Sequence, residues 1–283
     1  LLLSVQIPQT TGFNNRFSNL GRTTNNGVEL TIDSRNIDTK DFAWNTTFTI
    51  SHNRQMVEDI GHENYVTTLE SWGNSKYMMY GYKKGYPLNS LWGFEYAGPW
   101  QNEEQLKQYY VDSNTYVSST MADKTNASAV SSLLGMAKYV DQNQDGQLSE
   151  KDIVYLGNSD PVLYGGLNNT FHWKNLKFSF YFIYSLGGKI YNYSEMFMGG
   201  GTVTNQYRYM LDAWHPVRNP DSWHPRPSKD YNLMPSSRQV QDASYLRLKT
   251  VSLAYTLPFK KGKTFKDMTF TLTGDNLVLW TKY

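Results

Sequence analysis

The chain has 283 residues, with 27 lysines and arginines against 25 aspartates and glutamates, for a formal net charge of +2. This near balance gives no support for nucleic-acid binding, which requires a basic surface. The chain contains no cysteine, which excludes a disulfide framework and thiolate chemistry. No stretch approaches the roughly 20 apolar residues of a transmembrane helix.

The first predicted pair of strands lies within residues 28–50. Apolar residues alternate with mostly polar ones, a spacing that places the apolar side chains on one face of each strand. A short connection over 36–40 joins the two strands. The apolar residues are Val28, Leu30 and Ile32, followed by Phe42, Trp44, Phe48 and Ile50.

A long stretch over 52–161 follows, and loops of this length are normally functional or disordered. Near its end, residues 141–152 have the sequence Asp-Gln-Asn-Gln-Asp-Gly-Gln-Leu-Ser-Glu-Lys-Asp, whose spacing matches a calcium-binding loop. The predicted ligand residues are Asp141, Asn143, Asp145, Gln147 and Asp152.

This spacing suits Ca²⁺ because the ion takes about six to eight oxygen ligands. Gly146 permits the sharp turn, Gln147 offers its backbone carbonyl, and Ser149 could hold a water ligand. An EF-hand ends in Glu, where this chain has the shorter Asp152, and residues 137–140 favour a strand rather than a preceding helix. We therefore expect a structural Ca²⁺ ion in this loop, and the alternative is a solvated acidic turn.

The second predicted pair of strands spans 163–185, with a tight turn at Lys174 and Asn175. Its apolar face is rich in phenylalanine, as expected for strands that face lipid. The residues of that face are Leu163, Leu167, Phe171 and Trp173, then Leu176, Phe178, Phe180, Phe182 and Tyr184.

A second long stretch over 187–243 is rich in tryptophan, histidine and proline. Trp214 and Trp223 could form a surface for a substrate or partner, since planar aromatic rings stack on sugar faces. Alternatively, the loop packs around its own side chains. The same two interpretations apply to an earlier cluster that consists of Trp92, Phe94, Tyr96 and Trp100.

The third predicted pair of strands spans 245–257 and 268–277. In its first strand, Val251 and Leu253 share a face, but Leu246 and Leu248 fall on the other one. This phase slip predicts a β-bulge near Lys249. In the second strand, Phe270 and Leu272 face away from threonines at 269, 271 and 273.

Short turns within the pairs and long connections between them indicate an all-β, antiparallel transmembrane β-barrel of the outer-membrane type. Aromatic residues also gather near the short-turn ends, as in the interfacial girdle of a barrel. These residues are Phe42, Trp44, Phe171, Trp173, Tyr255 and Phe259. The alternative is a soluble antiparallel protein with one wet face.

Six strands are predicted with clear alternation, and 1–7 and 91–96 are weaker candidates. Bacterial barrels of a single chain have at least about eight strands, and lipid does not tolerate open sheet edges. The chain is therefore expected to be a fragment with further sequence upstream.

Five stretches together resemble the SusC/RagA-type TonB-linked outer-membrane transporters, in the order of that family and over nearly the whole chain. They are Asn-Leu-Gly at 19–21 leading to Asn-Gly-Val-Glu at 26–29; Phe-Ala-Trp-Asn at 42–45 continuing to His-Asn at 52–53; Tyr-Val-Asp-Gln-Asn-Gln-Asp-Gly at 139–146 with Asp152 and Leu-Gly at 156–157; Tyr-Leu-Arg-Leu-Lys at 245–249 with Leu-Ala-Tyr-Thr-Leu-Pro at 253–258; and Asp-Asn-Leu at 275–277 with Trp-Thr-Lys-Tyr at 280–283.

The resemblance implies that 1–283 is the C-terminal part of a barrel of about 22 strands, without its plug domain and N-terminal strands. It implies that 52–161 and 187–243 are extracellular loops. It also implies a bacterial outer-membrane location in contact with lipid, a SusD-like surface lipoprotein as a cap, and the TonB complex as the driver of import. The implied substrate is an oligosaccharide or a peptide.

No motif of a hydrolase, a zinc protease or a phosphate-binding loop occurs in the sequence, so we expect no catalytic residues. Substrate-binding residues are not assigned. Two other functions share these features: a soluble, calcium-stabilised β-module that binds glycans, and a passive porin without TonB coupling.

Overall fold

A computed structural model describes residues 2–6, 10, 12, 15–19, 21–60, 65–68, 80–106, 116–118, 128, 131–200, 205–228, 233–259 and 266–283. Within these ranges, no helix has the length and apolar character needed to cross a membrane. The strands, in chain order, are β1 (Leu2–Gln6), β2 (Asn15–Asn19), β3 (Arg22–Asp38), β4 (Phe42–Asp59), β5 (Tyr65–Thr68), β6 (Tyr80–Lys83), β7 (Ser90–Gly93), β8 (Tyr96–Pro99), β9 (Tyr116–Ser118), β10 (Ala137–Val140), β11 (Val154–Asn158), β12 (Leu163–Trp173), β13 (Leu176–Leu186), β14 (Lys189–Tyr191), β15 (Val240–Asp242), β16 (Tyr245–Pro258) and β17 (Asp267–Thr281).

The chain divides into two compact units. The sheet unit comprises Thr23–Met56, Ser159–Lys189 and Asp242–Tyr283, and the loop unit comprises Leu1–Arg22, Val57–Asn158 and Ile190–Gln241. The sheet unit holds all three predicted strand pairs.

The sheet unit is built on one six-stranded sheet in the order β17-β16-β13-β12-β4-β3. The three predicted pairs are confirmed as β3 with β4, β12 with β13, and β16 with β17. The tight turn between β12 and β13 is also confirmed, and Lys174 adopts a positive φ of 52° there. The pairs β12–β13, β12–β4, β13–β16 and β16–β17 are all antiparallel.

The register brings the alternating apolar residues of neighbouring strands onto one face. Phe171 lies beside Trp44 on β4 and Phe178 on β13, and both pairs of rings stack, with centroids 5.6 and 6.1 Å apart. On the same face, the ring of Phe182 lies 6.3 Å from that of Trp280. Several side chains of this face are exposed, and the exposed fraction of Leu272 is 75%. The result is an apolar face that stays partly exposed among the residues of the sheet unit that the structure describes.

Two polar side chains, Asn169 and Thr46, interrupt this face. Asn169 is buried, and its Oδ1 accepts hydrogen bonds from Trp44 Nε1 at 2.8 Å and from Thr46 Oγ1 at 2.7 Å. The amide oxygen is therefore satisfied within the apolar surroundings, where an unbonded polar group would be costly.

The opposite face of the sheet is lined by hydroxyl and amide side chains. Their cross-strand contacts include Ser252 with Thr273 at 3.1 Å between hydroxyl oxygens, and Thr256 with Thr269 at 2.9 Å. This polar face carries Thr47, Thr49 and Ser51; Tyr164, Asn168 and Thr170; Ser179, Tyr181 and Ser185; Thr250, Ser252 and Thr256; and Thr269, Thr271 and Thr273.

Two adjacent glycines of β12 lie beneath tyrosines on opposite faces of the sheet. Tyr184 crosses Gly165 on the apolar face, and its hydroxyl donates to Thr49 O at 3.0 Å. A Cβ at Gly165 would lie 2.0 Å from that carbonyl oxygen. On the polar face, Tyr181 covers Gly166, where a Cβ would lie 2.8 Å from Tyr181 Cε2. Each ring can lie close to the backbone only because the glycine beneath it has no side chain.

The bulge predicted near Lys249 is confirmed. Tyr181 pairs with Thr250 and Phe182 pairs with Leu248, so Lys249 has no opposite residue on β13. The irregularity continues into β17, where Asn276 has a positive φ of 54° and accepts a hydrogen bond from Lys249 Nζ at 3.2 Å. The bulge returns Leu246 and Leu248 to the apolar face.

The loop unit contains short strands in small sheets, ordered β11-β7-β6-β5, β8-β10-β9, β1-β2 and β14-β15. Strand β7 lies within the weaker candidate range 91–96 except for its first residue, Ser90, and β1 lies within 1–7, of which residues 1 and 7 fall outside the described part. The core of this unit includes Phe94, Tyr96 and Tyr139. The placement of 52–161 and 187–243 outside the cell stays a prediction.

Candidate functional site

The candidate calcium loop, residues 141–152, follows β10 directly. The preceding residues form a strand rather than a helix, as the sequence predicts. Gln144 and Gly146 have positive φ values of 60° and 78°, which fold the chain sharply back on itself. The loop ends in a 3₁₀ turn, Glu150–Asp152.

Asp141 organises the first half of this loop from within. Its side chain is almost buried, at 3% exposure. One carboxylate oxygen accepts the Gln144 N–H at 2.8 Å, and the other accepts the Gly146 N–H at 2.7 Å. These two hydrogen bonds hold the Gln144 and Gly146 backbone around the Asp141 carboxylate.

Asp152 closes the second half of the loop and is fully buried. Its Oδ1 accepts the Gln142 N–H at 3.0 Å, and its Oδ2 accepts the Ser149 N–H at 2.8 Å. Ser149 Oγ accepts the Lys151 N–H at 3.2 Å, and Ser149 and Asp152 form a capping box at the start of the 3₁₀ turn. Asp152 thus ties the beginning of the loop to its end.

Asn143 and Asp145 lie on the exposed side of the loop. Asn143 Nδ2 donates to Asp145 Oδ2 at 2.8 Å, and the Gln147 N–H donates to Asp145 Oδ1 at 2.9 Å. These hydrogen bonds, that of Asn143 first, lower the pKa of Asp145 below its ordinary value. Asn143 Oδ1 also accepts the Asp145 N–H at 3.1 Å, so these oxygens all have hydrogen-bond partners within the loop.

The fold brings all the predicted ligand residues into one compact turn whose donors are oxygens, as Ca²⁺ requires. Across the residues that the structure describes, however, no group of three or more acidic or histidine side chains is arranged to hold a metal. Both oxygens of Asp152 bond to N–H groups of the loop itself. Calcium binding therefore stays a prediction.

A second cluster in the loop unit was missed by the sequence analysis. Arg238 Nη2 forms an ion pair with Glu195 Oε1 at 3.0 Å, and the two side chains are only 4% and 9% exposed. Tyr209 donates its hydroxyl to the same carboxylate oxygen. The Arg238 guanidinium also lies 5.8 Å from the centre of the Tyr96 ring. These residues are distant in sequence, and no periodic pattern marks any of them.

The aromatic residues of the two long stretches mostly pack inward. Trp92, Trp100 and Trp214 are buried, which supports packing within the loop unit over a substrate surface for these three. Trp223 differs, since it is 56% exposed while its ring lies against Gly98 and meets Tyr96 edge-on at 5.2 Å.

No protein-family model matches the chain. A search of curated proteins found TonB-dependent receptor P26 of Formosa agariphila, which is 34% identical over 293 aligned residues that include the whole chain. The chain belongs to the SusC/RagA-type TonB-dependent receptors. TonB-dependent receptor SusC of Bacteroides thetaiotaomicron is 28% identical over 68% of the chain.

The chain spans 27% of the length of the P26 receptor and 17% of SusC. It also superimposes over its whole length on 28% of a chain from the RagAB peptide transporter, with a TM-score of 0.72 at 23% identity. A second structure, the RagAB importer in its closed-closed state, gives the same TM-score at 24% identity. These similarities show that this receptor chain has the fold of part of a TonB-dependent β-barrel.

The relatives are TonB-dependent receptors and not enzymes, which supports a role other than catalysis for this chain. The five resembling stretches identified the family correctly because their order along the chain is specific even though each stretch alone is short. The match of these stretches to the receptors does not test calcium binding by the loop 141–152.

Acidification is expected to loosen the loop unit of the receptor through His224. Burial lowers the pKa of His224 below its ordinary value of 6.5, with a further contribution from the charge of Arg238. Because the unfolded segment binds a proton more readily than the folded one, stability is complete above about pH 6.5 and falls as the pH drops through that value. After correction for the intrinsic pH dependence of exchange, the protection of peptides from 205–228 should therefore fall between about pH 7 and pH 5.

The control for this experiment is His224→Gln, which removes the titrating group and keeps a polar side chain. After correction for the intrinsic pH dependence of exchange, this variant should show a flatter pH response. An equally steep response in the variant would assign the effect to another group.

Proposed function

We propose that the receptor containing this chain imports an oligosaccharide or an oligopeptide across the bacterial outer membrane, driven by TonB. The observation that carries this proposal is the two-faced sheet. One face is mostly apolar and partly exposed in the described part of the chain, and the other is lined by hydroxyl groups.

The two faces suit two different solvents. A bilayer offers no hydrogen bonds, so an exposed face in lipid must consist of apolar side chains. A water-filled lumen suits the threonine and serine hydroxyls of the other face. The strands therefore form a wall between lipid and a polar interior, and the aromatic residues near the short turns are proposed to lie at the lipid–water interface.

The proposed partners are a SusD-like surface lipoprotein, which would cap the barrel and deliver substrate, and the TonB complex. Membership of the SusC/RagA-type receptors supports both. The RagAB structure is that of a peptide transporter, which makes a peptide one candidate substrate, and an oligosaccharide is the other.

Native material tests the proposal. The full-length receptor, tagged on the chromosome and extracted from an outer-membrane fraction with detergent, should co-purify with a lipoprotein. Deletion of its gene and deletion of tonB should abolish uptake of the same nutrient. Uptake that persists without TonB would indicate a passive porin, and a receptor chain recovered without detergent would contradict the membrane proposal.

We further propose that the loop 141–152 binds Ca²⁺ as a structural ion. The proposal is supported by the spacing of the oxygen-bearing side chains and by the exposed position of Asn143 and Asp145. Asp141 and Asp152 would contribute further carboxylate oxygens, and the Gln147 carbonyl would complete the set.

Calcium binding is tested on the full-length receptor with Asp145→Ala. We expect this change to weaken Ca²⁺ binding at least tenfold, because it removes an anionic ligand that no buried contact of the loop requires. Calorimetric titration with CaCl₂ and proteolysis of the loop with and without EDTA provide the measurements. The matched control is Glu150→Ala, a neighbouring acid outside the predicted ligand set. If EDTA does not change the rate at which the loop of the wild-type receptor is cleaved, the proposal of a structural ion is refuted.

A further inference from the structure

An open cavity of about 550 Å³, lined mainly by residues of the polar face, lies close to the strand ends from which the long connections depart. This size suits a short oligomer or a small ligand. We name it the tyrosine groove after Tyr164, Tyr181 and Tyr245. Its remaining lining residues are Thr49, Ser51, Pro161, Gly165, Ile183, Tyr184 and Ser185.

Building on the proposed import function, we propose that the tyrosine groove binds a sugar unit of an oligosaccharide and that Arg247 selects sugars with an anionic group. The proposal narrows the substrate class from oligosaccharide or peptide to an acidic oligosaccharide.

Tyr181 supplies a preformed stacking surface. Its ring lies directly over Gly166, where a Cβ would come within 2.8 Å of Cε2 and 2.9 Å of Oη. The backbone of β12 therefore supports one side of the ring, while 38% of the side chain remains exposed. A ring that is already held in place loses little conformational entropy on binding a flat ligand. Tyr164 is equally exposed on the same face.

The hydroxyl groups around these rings suit a ligand that is rich in hydroxyls. Thr49, Ser51 and Ser185 line the same cavity, and the lining contains no acidic side chain. A second cavity of about 320 Å³ shares Tyr181 and extends past Asn168, Ser179 and Thr250. Two cavities that share one aromatic ring fit successive units of a chain better than a single compact molecule.

Arg247 provides the charge that would select an anion. Its guanidinium lies 5.5 Å from the centre of the Tyr245 ring, a cation–π contact that orients it beside the groove. In the described part of the chain, no carboxylate lies within salt-bridge distance of Arg247. The carboxylate of Asp275, on β17, accepts a hydrogen bond from Thr250 instead. Arg247 can therefore offer paired N–H donors to a carboxylate group.

The test measures binding of defined oligosaccharides to the full-length receptor in detergent by calorimetry. The probes are acidic tetrasaccharides of galacturonate, mannuronate and glucuronate-containing repeats, the neutral maltotetraose and cellotetraose, and a tetraglutamate peptide. We expect at least one acidic sugar to bind, Tyr181→Ala to weaken it at least tenfold, and Arg247→Gln to weaken it while leaving any neutral sugar unaffected.

The matched control is Tyr255→Ala, an equally large change on the apolar face, where Tyr255 is 45% exposed. It should leave the affinity unchanged. Binding of the peptide or of neutral sugars alone, or of no probe, overturns the proposal. An unchanged affinity in Tyr181→Ala also overturns the proposal.

These outcomes separate the inference from the import proposal. TonB-dependent uptake that continues undiminished in Tyr181→Ala and Arg247→Gln cells would refute the groove and leave import intact. Loss of TonB dependence in wild-type cells would refute import itself.

Discussion

Replacing Arg238 with Met is expected to destabilise the loop unit by about 3–5 kcal/mol, because it leaves the buried Glu195 carboxylate without its cation. Both side chains are almost inaccessible, so water cannot take over the role of the guanidinium. Local opening free energies from hydrogen exchange of peptides from 190–200 and 233–241, measured in the intact receptor, provide the test.

The double variant Arg238→Met/Glu195→Leu is the informative control. It removes both charges and should recover most of the lost stability, since replacing a buried ion pair with apolar residues is often neutral. Tyr209 would lose its acceptor in the double variant, so a partial recovery is expected. Equal losses in the single and double variants would mean that packing rather than charge determines the effect.

Replacing Gly165 with Ala is expected to block assembly of the sheet. The added Cβ would lie 2.0 Å from the Thr49 carbonyl oxygen, which is a backbone atom and cannot move without separating β4 from β12. We expect a cost at or above the ~3 kcal/mol typical of severe overpacking. The measurement is the amount of folded receptor in the outer membrane, scored by its heat-dependent shift in electrophoretic mobility.

The neighbouring Gly166→Ala is a matched control, because its Cβ would mainly meet the Tyr181 ring at 2.8 Å. A side chain can swing aside where a backbone cannot, so this variant should assemble better than Gly165→Ala. Similar yields from the two glycine variants would contradict the argument from the Thr49 carbonyl. Any displacement of the Tyr181 ring should appear as weaker sugar binding.

The sheet unit could be predicted from the sequence because its information is local. Alternation with a period of two fixes the face of every residue, and the phase slip between Leu248 and Val251 predicted the bulge without any knowledge of β13. The turn at Lys174 follows from the short gap between two unbroken patterns. The order of the strand pairs in the sheet came from the structure.

The loop unit could not be predicted in the same way, because long-range contacts hold it together. The ion pair joins Glu195 to Arg238, and Tyr96 packs against Trp223 from a distant part of the sequence. No periodic pattern in the sequence indicates any of these contacts. The calcium loop is the exception, since its donors lie within 141–152 and its turn follows from the local spacing of Asp141, Gly146 and Asp152.

The bulge at Lys249 also determines where this strand can change its length. Upstream of it the apolar side chains have even numbers, and downstream they have odd numbers. Removing one residue anywhere else in β16 would turn part of the strand inside out, with leucines directed into water and threonines into lipid. Removing Lys249 itself would leave the alternation continuous. Single-residue insertions and deletions among homologues should therefore concentrate at this position of β16.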